Sequence, residues 1–330
     1  MNIRLVLSIF SIFAIGAICG FFAYSFFSGR QPAPVVENAS KQVRQMGSYK
    51  YINPLLECEV AEGSIDARKE NFHYDLEKLV TEMKEEQSLT DVAVYFRDLN
   101  NGPAFGINQE QGFFPASLLK VPLMIAYFHW AEQNPSVLKR SVSFDVPKDF
   151  GITPTILPRE SLEVGAEYTI EELIERMIRF SDNQALYLLS IRLPEQELRS
   201  LFSISGASNK ILSDAGAKLT VKEYAGFFRI LFNSSYLSRE NSEKALALLS
   251  ATEYNDALPA GVPAGITVAH KFGEAGTGNV ERQLHDCGIV YFPDHPYLAC
   301  VMTRGKSTDE LKQAIADISR FIYQKIDEQY

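Results

Sequence analysis

The hydrophobic period of this chain switches from two to helical and back to two, and that order limits the folds open to it. "DVAVYFRDL" (Asp91 to Leu99) and "PAFGINQ" (Pro103 to Gln109) alternate across an "NNG" turn and read as a β-hairpin. From Ser117 onward the pattern is helical. The helical runs are Ser117 to about Glu132, "TIEELIERMIRF", "NQALYLLSIRL", "TVKEYAGFFRILFN" and "SRENSEKALALLS". Thr169, with Glu172 three residues on, predicts a capping box at the start of "TIEELIERMIRF". Then "ITVAHKFG", "DCGIVYF" and "YLACVMTRG" read as three strands. "STDELKQAIADISRFIYQKI" closes as a helix with Leu311, Ile315, Ile318, Ile322 and Ile326 on one face. Before the hairpin, Asn71 to Gln87 carries a helical stripe of Tyr74, Leu76, Leu79, Val80 and Met83. Strands at both ends of a domain can share one antiparallel sheet, leaving the intervening helices as a second lobe. The expected class is therefore α+β, an antiparallel sheet flanked by helices plus an all-helical lobe, with a cleft between them as the natural place for a site.

Ahead of this domain lies a different kind of sequence. Leu5 to Phe27 carries no charge and is long enough to span a bilayer. A cleaved signal peptide would have a shorter apolar core and small residues at its end. This run is longer and ends in "AYSFFSGR", so it reads as one transmembrane signal anchor. Basic residues flank both sides, and the positive-inside rule sets no orientation. The expected organisation is a short tail at 1-4, the anchor at 5-27, a polar tether at 28-60 and one folded domain at 61-330. The net charge of -9 argues against nucleic acid as a partner. The five histidines form no ligand spacing, and "GEAGTGN" lacks the lysine and helix of a phosphate loop, so neither metal nor cofactor is expected. Beyond Cys19, the chain has Cys58, Cys287 and Cys300. Cys287 and Cys300 fall on neighbouring strands and either bridge or remain buried thiols.

"FPASLLKVPL" (Phe114 to Leu123) places Ser117 and Lys120 one turn apart. A serine hydroxyl is a weak nucleophile until a base takes its proton. Lysine is a poor base until desolvation or a nearby cation lowers its pKa. A lysine inside an apolar run supplies that desolvation. Spacing alone is weak support, because Ser136 and Lys139 share it without the context. Two further elements strengthen the reading: "SDN" (Ser181, Asp182, Asn183) between two helices, and "HKFG" (His270 to Gly273) on a strand. Taken singly, these are a helix cap and an edge-strand lysine; the weight lies in their occurring together.

The set resembles the penicillin-recognising serine hydrolases, most closely the class A β-lactamase type, with its order S-x-x-K, S-D-N, K-T-G. The resemblance runs from about Asp91 to the C-terminus and implies a β-lactamase/transpeptidase-like fold. It implies Ser117 as the acylated nucleophile, Lys120 as base or relay, and Ser181 as proton donor to the leaving nitrogen. Asn183 would bond Lys120 or the substrate amide, and Lys271 would supply positive charge. Backbone N–H groups of Ser117 and Glu274, beside Gly273, would form the oxyanion hole. Asp182 reads as structural. The implied substrate is a β-lactam or a cell-wall peptide, and the implied place is the cell membrane, with the catalytic domain extracytoplasmic. Oligomeric state is not set.

Three departures from the family pattern stand out. No E-x-x-L-N glutamate follows S-D-N; Glu195, Glu197 and Asp214 are the nearby acids and read as surface or turn residues. Phe272 stands where the family has a hydroxyl. Cys287 stands where many members have an arginine, with Arg282 near in sequence. The first departure implies slow deacylation. It leaves open a D-alanyl peptidase, or a non-catalytic penicillin- or wall-binding sensor.

Overall fold

The two alternating runs before Ser117 and the three after Ser250 meet in one sheet. The computed structural model describes residues 43–44, 49–57, 67–86, 89–100, 103–151, 156–214, 216–276 and 281–330. Strand β1 (Leu89–Asp98) pairs with β2 (Ala104–Ile107) as the expected hairpin, with Val94 opposite Ile107. The C-terminal strands are β3 (Val268–Ala275), β4 (Arg282–Val290) and β5 (Tyr297–Gly305). β1 takes β5 as its other neighbour, giving the order β2-β1-β5-β4-β3 with every pair antiparallel. Short ribbons at Val43–Arg44 with Leu55–Glu57, and at Ser141–Ser143 with Glu167–Thr169, lie outside this sheet.

The alternation of each strand divides the core in two. Val92, Val94 and Phe96 face one side with Tyr297, Ala299 and Val301, under helices α1 (Ala67–Glu86) and α8 (Thr308–Asp327). Ala93 and Tyr95 face the other side with Leu298, Cys300 and Met302, against the helical lobe. The closing helix buries all five residues read as its stripe. In α1 the expected stripe needs a correction: Tyr74 is exposed, and Phe72 takes its place with Leu76, Val80 and Met83. Tyr74 stands two positions from both Phe72 and Leu76, about 200° around the helix from each.

The helical lobe comprises α2 (Lys120–Gln133), α3 (Ile170–Arg179), α4 (Asn183–Ser190), α5 (Glu195–Ser205), α6 (Val221–Phe232) and α7 (Arg239–Ser250). Helix α2 is buried continuously from Lys120 to Phe128, which is why its sequence is apolar on every face. Thr169 and Glu172 close the predicted capping box on α3.

The boundary read at residue 60 comes too late. Glu243 of α7 accepts the backbone N–H groups of Lys50, Tyr51 and Ile52 at 2.7 to 3.1 Å. Ile52 is buried in the core of the helical lobe, and Tyr291 Oη donates to the Tyr51 carbonyl. The run carries too few apolar residues to show a period, so its docking was not legible. Residues Lys41–Glu59 and Ile65–Tyr330 form one compact unit; Met1–Ser40 and Val60–Ser64 lie outside the described residues. So do Cys58 and the expected anchor at Leu5 to Phe27. Among the described residues no helix is long and apolar enough to cross a membrane. Cys287 and Cys300 face each other in the β4–β5 register and are joined by a disulfide, the first of the two readings left open.

Candidate active site

Ser117 lies in a 3-10 turn, Ala116–Leu119, that runs directly into α2. A 3-10 turn has three residues per turn, so positions i and i+3 eclipse. That sets Lys120 under Ser117, with Nζ to Oγ at 2.9 Å. The turn is held from three sides. Phe113 exchanges backbone hydrogen bonds with Leu219, Tyr224 Oη donates to the Leu118 carbonyl, and Phe114 is clamped at both backbone groups. In that clamp the Phe114 N–H donates to Gln283 Oε1, and its carbonyl meets His285 Nε2 at 3.0 Å.

Lys120 is fully buried. Its Nζ also meets the Ser181 carbonyl at 2.6 Å, Ser181 Oγ at 3.0 Å and Asn183 Oδ1 at 2.7 Å. The carbonyl and the amide oxygen can only accept. A neutral amine has two N–H donors for them and one lone pair left for a hydroxyl proton. Burial lowers the Lys120 pKa to about 7, with Asp182 pulling the other way. The amine is thus available as a base near neutral pH, and Ser117 is one of the hydroxyls within its reach.

Lys271, also fully buried, donates to Ser181 Oγ at 3.0 Å and to the Phe272 carbonyl at 3.1 Å. Its pKa lies well below the ordinary lysine value, through burial first and the nearby Lys120 second, against a pull from Asp286. The result is a continuous chain of contacts, Ser117–Lys120–Ser181–Lys271. Asn183 sits at its side, and Asp182 lies below, capping α4 through the N–H groups of Gln184 and Ala185. Ala116 and Ser181 both have positive φ, 47° and 57°. Such backbone costs an L residue roughly 1–2 kcal/mol. Here it stands at the residue before Ser117 and at Ser181 itself.

Gly273 lets the edge strand β3 approach the Ser117 turn. A Cβ there would meet Leu118 Cγ and the Pro115 carbonyl at 3.0 Å. Glu274 follows on the same strand, and its carboxylate accepts the Ile156 N–H at 3.1 Å. The seven residues singled out in the sequence lie on the Ser117 turn and the first residue of α2, at the α3–α4 junction, and on strand β3. Among the described residues no cluster of potential metal ligands occurs.

Several functional neighbours were missed. His285 and Gln283 hold the backbone before Ser117 from a strand about 170 residues away, and no local signal announces that contact. His270 points away from Lys271 and pairs with the buried Asp286 at 2.8 Å. Tyr254 packs against Phe272, the ring centres 4.2 Å apart and the planes tilted by 37°. The acids after S-D-N are engaged elsewhere: Glu195 with Arg199, Glu197 with His129, and Asp214 with the Gly216 N–H in a turn. Arg282 donates to Thr308 Oγ1. Residues 277–279 of "GEAGTGN" lie outside the described residues.

An antiparallel sheet beside a helical lobe, with a Ser-x-x-Lys turn facing a lysine strand, is the architecture of serine hydrolases of the β-lactamase type. The chain belongs to the beta-lactamase enzyme family, whose model matches residues 73–326. No curated protein matches it. Among solved structures it is similar in fold to PBP-A, at 24% identity and TM-score 0.64, over 77% of this chain and 96% of that one. A leucine-to-glutamate point mutant of PBP-A, an acyl-enzyme complex with penicillin G, matches at the same identity and TM-score over 78% and 97%. A beta-lactamase from Sphaerobacter thermophilus DSM 20745 matches at 23% identity and TM-score 0.65, over 77% and 96%.

Proposed function

We propose that this protein is a membrane-anchored serine acyl-transfer enzyme that reacts with a β-lactam or related amide through Ser117. The observation that carries the reading is the buried Lys120 amine, held 2.9 Å from Ser117 Oγ with its N–H groups already matched by obligate acceptors. In acylation the Ser117 Oγ–C bond forms as its proton passes to Lys120. The amide C–N bond then breaks, and Ser181 Oγ delivers a proton to the leaving nitrogen, resupplied from Lys120 or Lys271. The N–H groups of Ser117 and Glu274 are assigned to the developing oxyanion.

Hydrolysis of the acyl-enzyme needs a base for water. The acids that follow S-D-N are engaged away from Ser117, which favours a long-lived adduct over rapid turnover. A D-alanyl peptidase acting on cell-wall peptides is the second reading, favoured by the same absence. The intact lysine–serine chain speaks against a purely non-catalytic sensor. Placement outside the cytoplasm, with Leu5 to Phe27 as anchor, is supported by the uncharged run and by a Cys287–Cys300 bridge suited to an oxidising compartment. The test is intact mass after mixing with benzylpenicillin, beside Ser117→Ala. An adduct on the native chain alone, persisting over many minutes, is expected. An equal adduct on both chains refutes the assignment.

A further inference from the structure

A cleft of about 450 Å³ opens between α6 and the sheet. Tyr95 of β1 and Leu298 of β5 form its apolar wall, and α6 forms the other side. On α6, Lys222, Ala225, Gly226 and Arg229 recur at i, i+3, i+4 and i+7, so they share one face. Two small residues thus separate two cations, which leaves the room between them. The cleft is not part of the Ser117 site. Across the sheet Lys271 stands opposite Cys287, Cys287 opposite Cys300, and Cys300 opposite Tyr95. That row sets Tyr95 three strands from Lys271, about 14 Å away.

The polar groups lining the cleft are unevenly matched. Glu223 already accepts the N–H groups of Thr220 and Ser208 at 2.9 and 3.1 Å. Ser205 Oγ donates to the Phe202 carbonyl and accepts the Ala207 N–H. Glu110 lies 3.6 Å from Lys222 Nζ, an exposed pair that holds little. The Arg229 guanidinium has no hydrogen-bond or ion-pair partner among the described residues. Neither has the hydroxyl of Tyr95, although that residue is only 7% exposed. A phenol buried to that degree ordinarily finds a partner. The cleft therefore combines an apolar wall with unmatched donors, one of them charged, and lacks an acceptor for them. We propose that it binds a small organic anion, a carboxylate carried on an apolar body. Arg229 and the Tyr95 hydroxyl take the carboxylate, while Leu298 and the Tyr95 ring take the body. The inference stands apart from the Ser117 reading and does not rest on it.

The test is calorimetric titration of the full chain with N-acetylphenylalanine, beside its uncharged amide. Saturable binding of the acid is expected, with Kd at or below about 1 mM. The amide is expected to bind at least roughly tenfold more weakly, as is the acid to Arg229→Gln. Should that variant fail to fold, Tyr95→Phe supplies the second reading. It keeps the ring, and loss of the hydroxyl is expected to weaken the acid roughly threefold. No saturation by the acid up to about 10 mM overturns the inference. So does an amide that binds as tightly as the acid, or a folded Arg229→Gln that binds the acid unchanged.

Discussion

A buried lysine must lose its proton or satisfy every N–H, and Lys120 is placed to do the first while its oxygen partners satisfy what remains. The sequence disclosed this residue because a cation inside an apolar run is costly without a reason. It did not disclose His285, an ordinary strand histidine until the fold brings Phe114 against it. Burial lowers the His285 pKa to about 4; contacts with Phe114 and Leu284 oppose this, and Arg304 adds to it. The unfolded imidazole titrates near 6.5, so between pH 6.5 and 4 the unfolded state binds more protons and stability falls as pH falls. The contribution is present above about 6.5, and its full loss by pH 4 amounts to roughly 3 kcal/mol. Denaturant unfolding of the native chain and His285→Gln at several pH values should show a shallower slope for the variant across this window. Parallel slopes would remove His285 from that role.

At the level of elements, strand alternation and helix period fixed most of the sheet and the helical lobe, because those signals are local. The Ser117 turn reads in sequence as the first turn of a helix; its 3-10 geometry is held by long-range clamps on Phe113, Phe114 and Leu118. Close approach of two elements was equally hidden. Gly273 is one letter in the sequence, yet a methyl there would press on Leu118 and Pro115 at 3.0 Å. Gly273→Ala is expected to slow Ser117 acylation by roughly tenfold to a hundredfold, since small displacements of reacting groups are costly. The native far-UV spectrum should be retained. Stopped-flow or timed mass measurements decide it, and an unchanged rate would mean that the turn is not positioned by β3.

For the whole molecule, the order of strands and helices already implied that the ends of the domain share a sheet, and the S-x-x-K, S-D-N and lysine-strand motifs implied which surfaces face each other. What stayed hidden was how far the folded unit reaches toward the N-terminus. Glu243 accepts three backbone N–H groups from residues 50–52. Glu243→Ala should lower the unfolding free energy by about 1–3 kcal/mol, as expected for donors left without their partner. It should also open the chain near Tyr51 to proteolysis; native-like protection would place that segment's hold elsewhere. The central claim, that neutral Lys120 activates Ser117, is tested most directly by the acylation rate constant as a function of pH. The rate should rise with pH and level off with an inflection near 7, as the amine loses its proton. A flat profile, or a rise only toward pH 10, would contradict it.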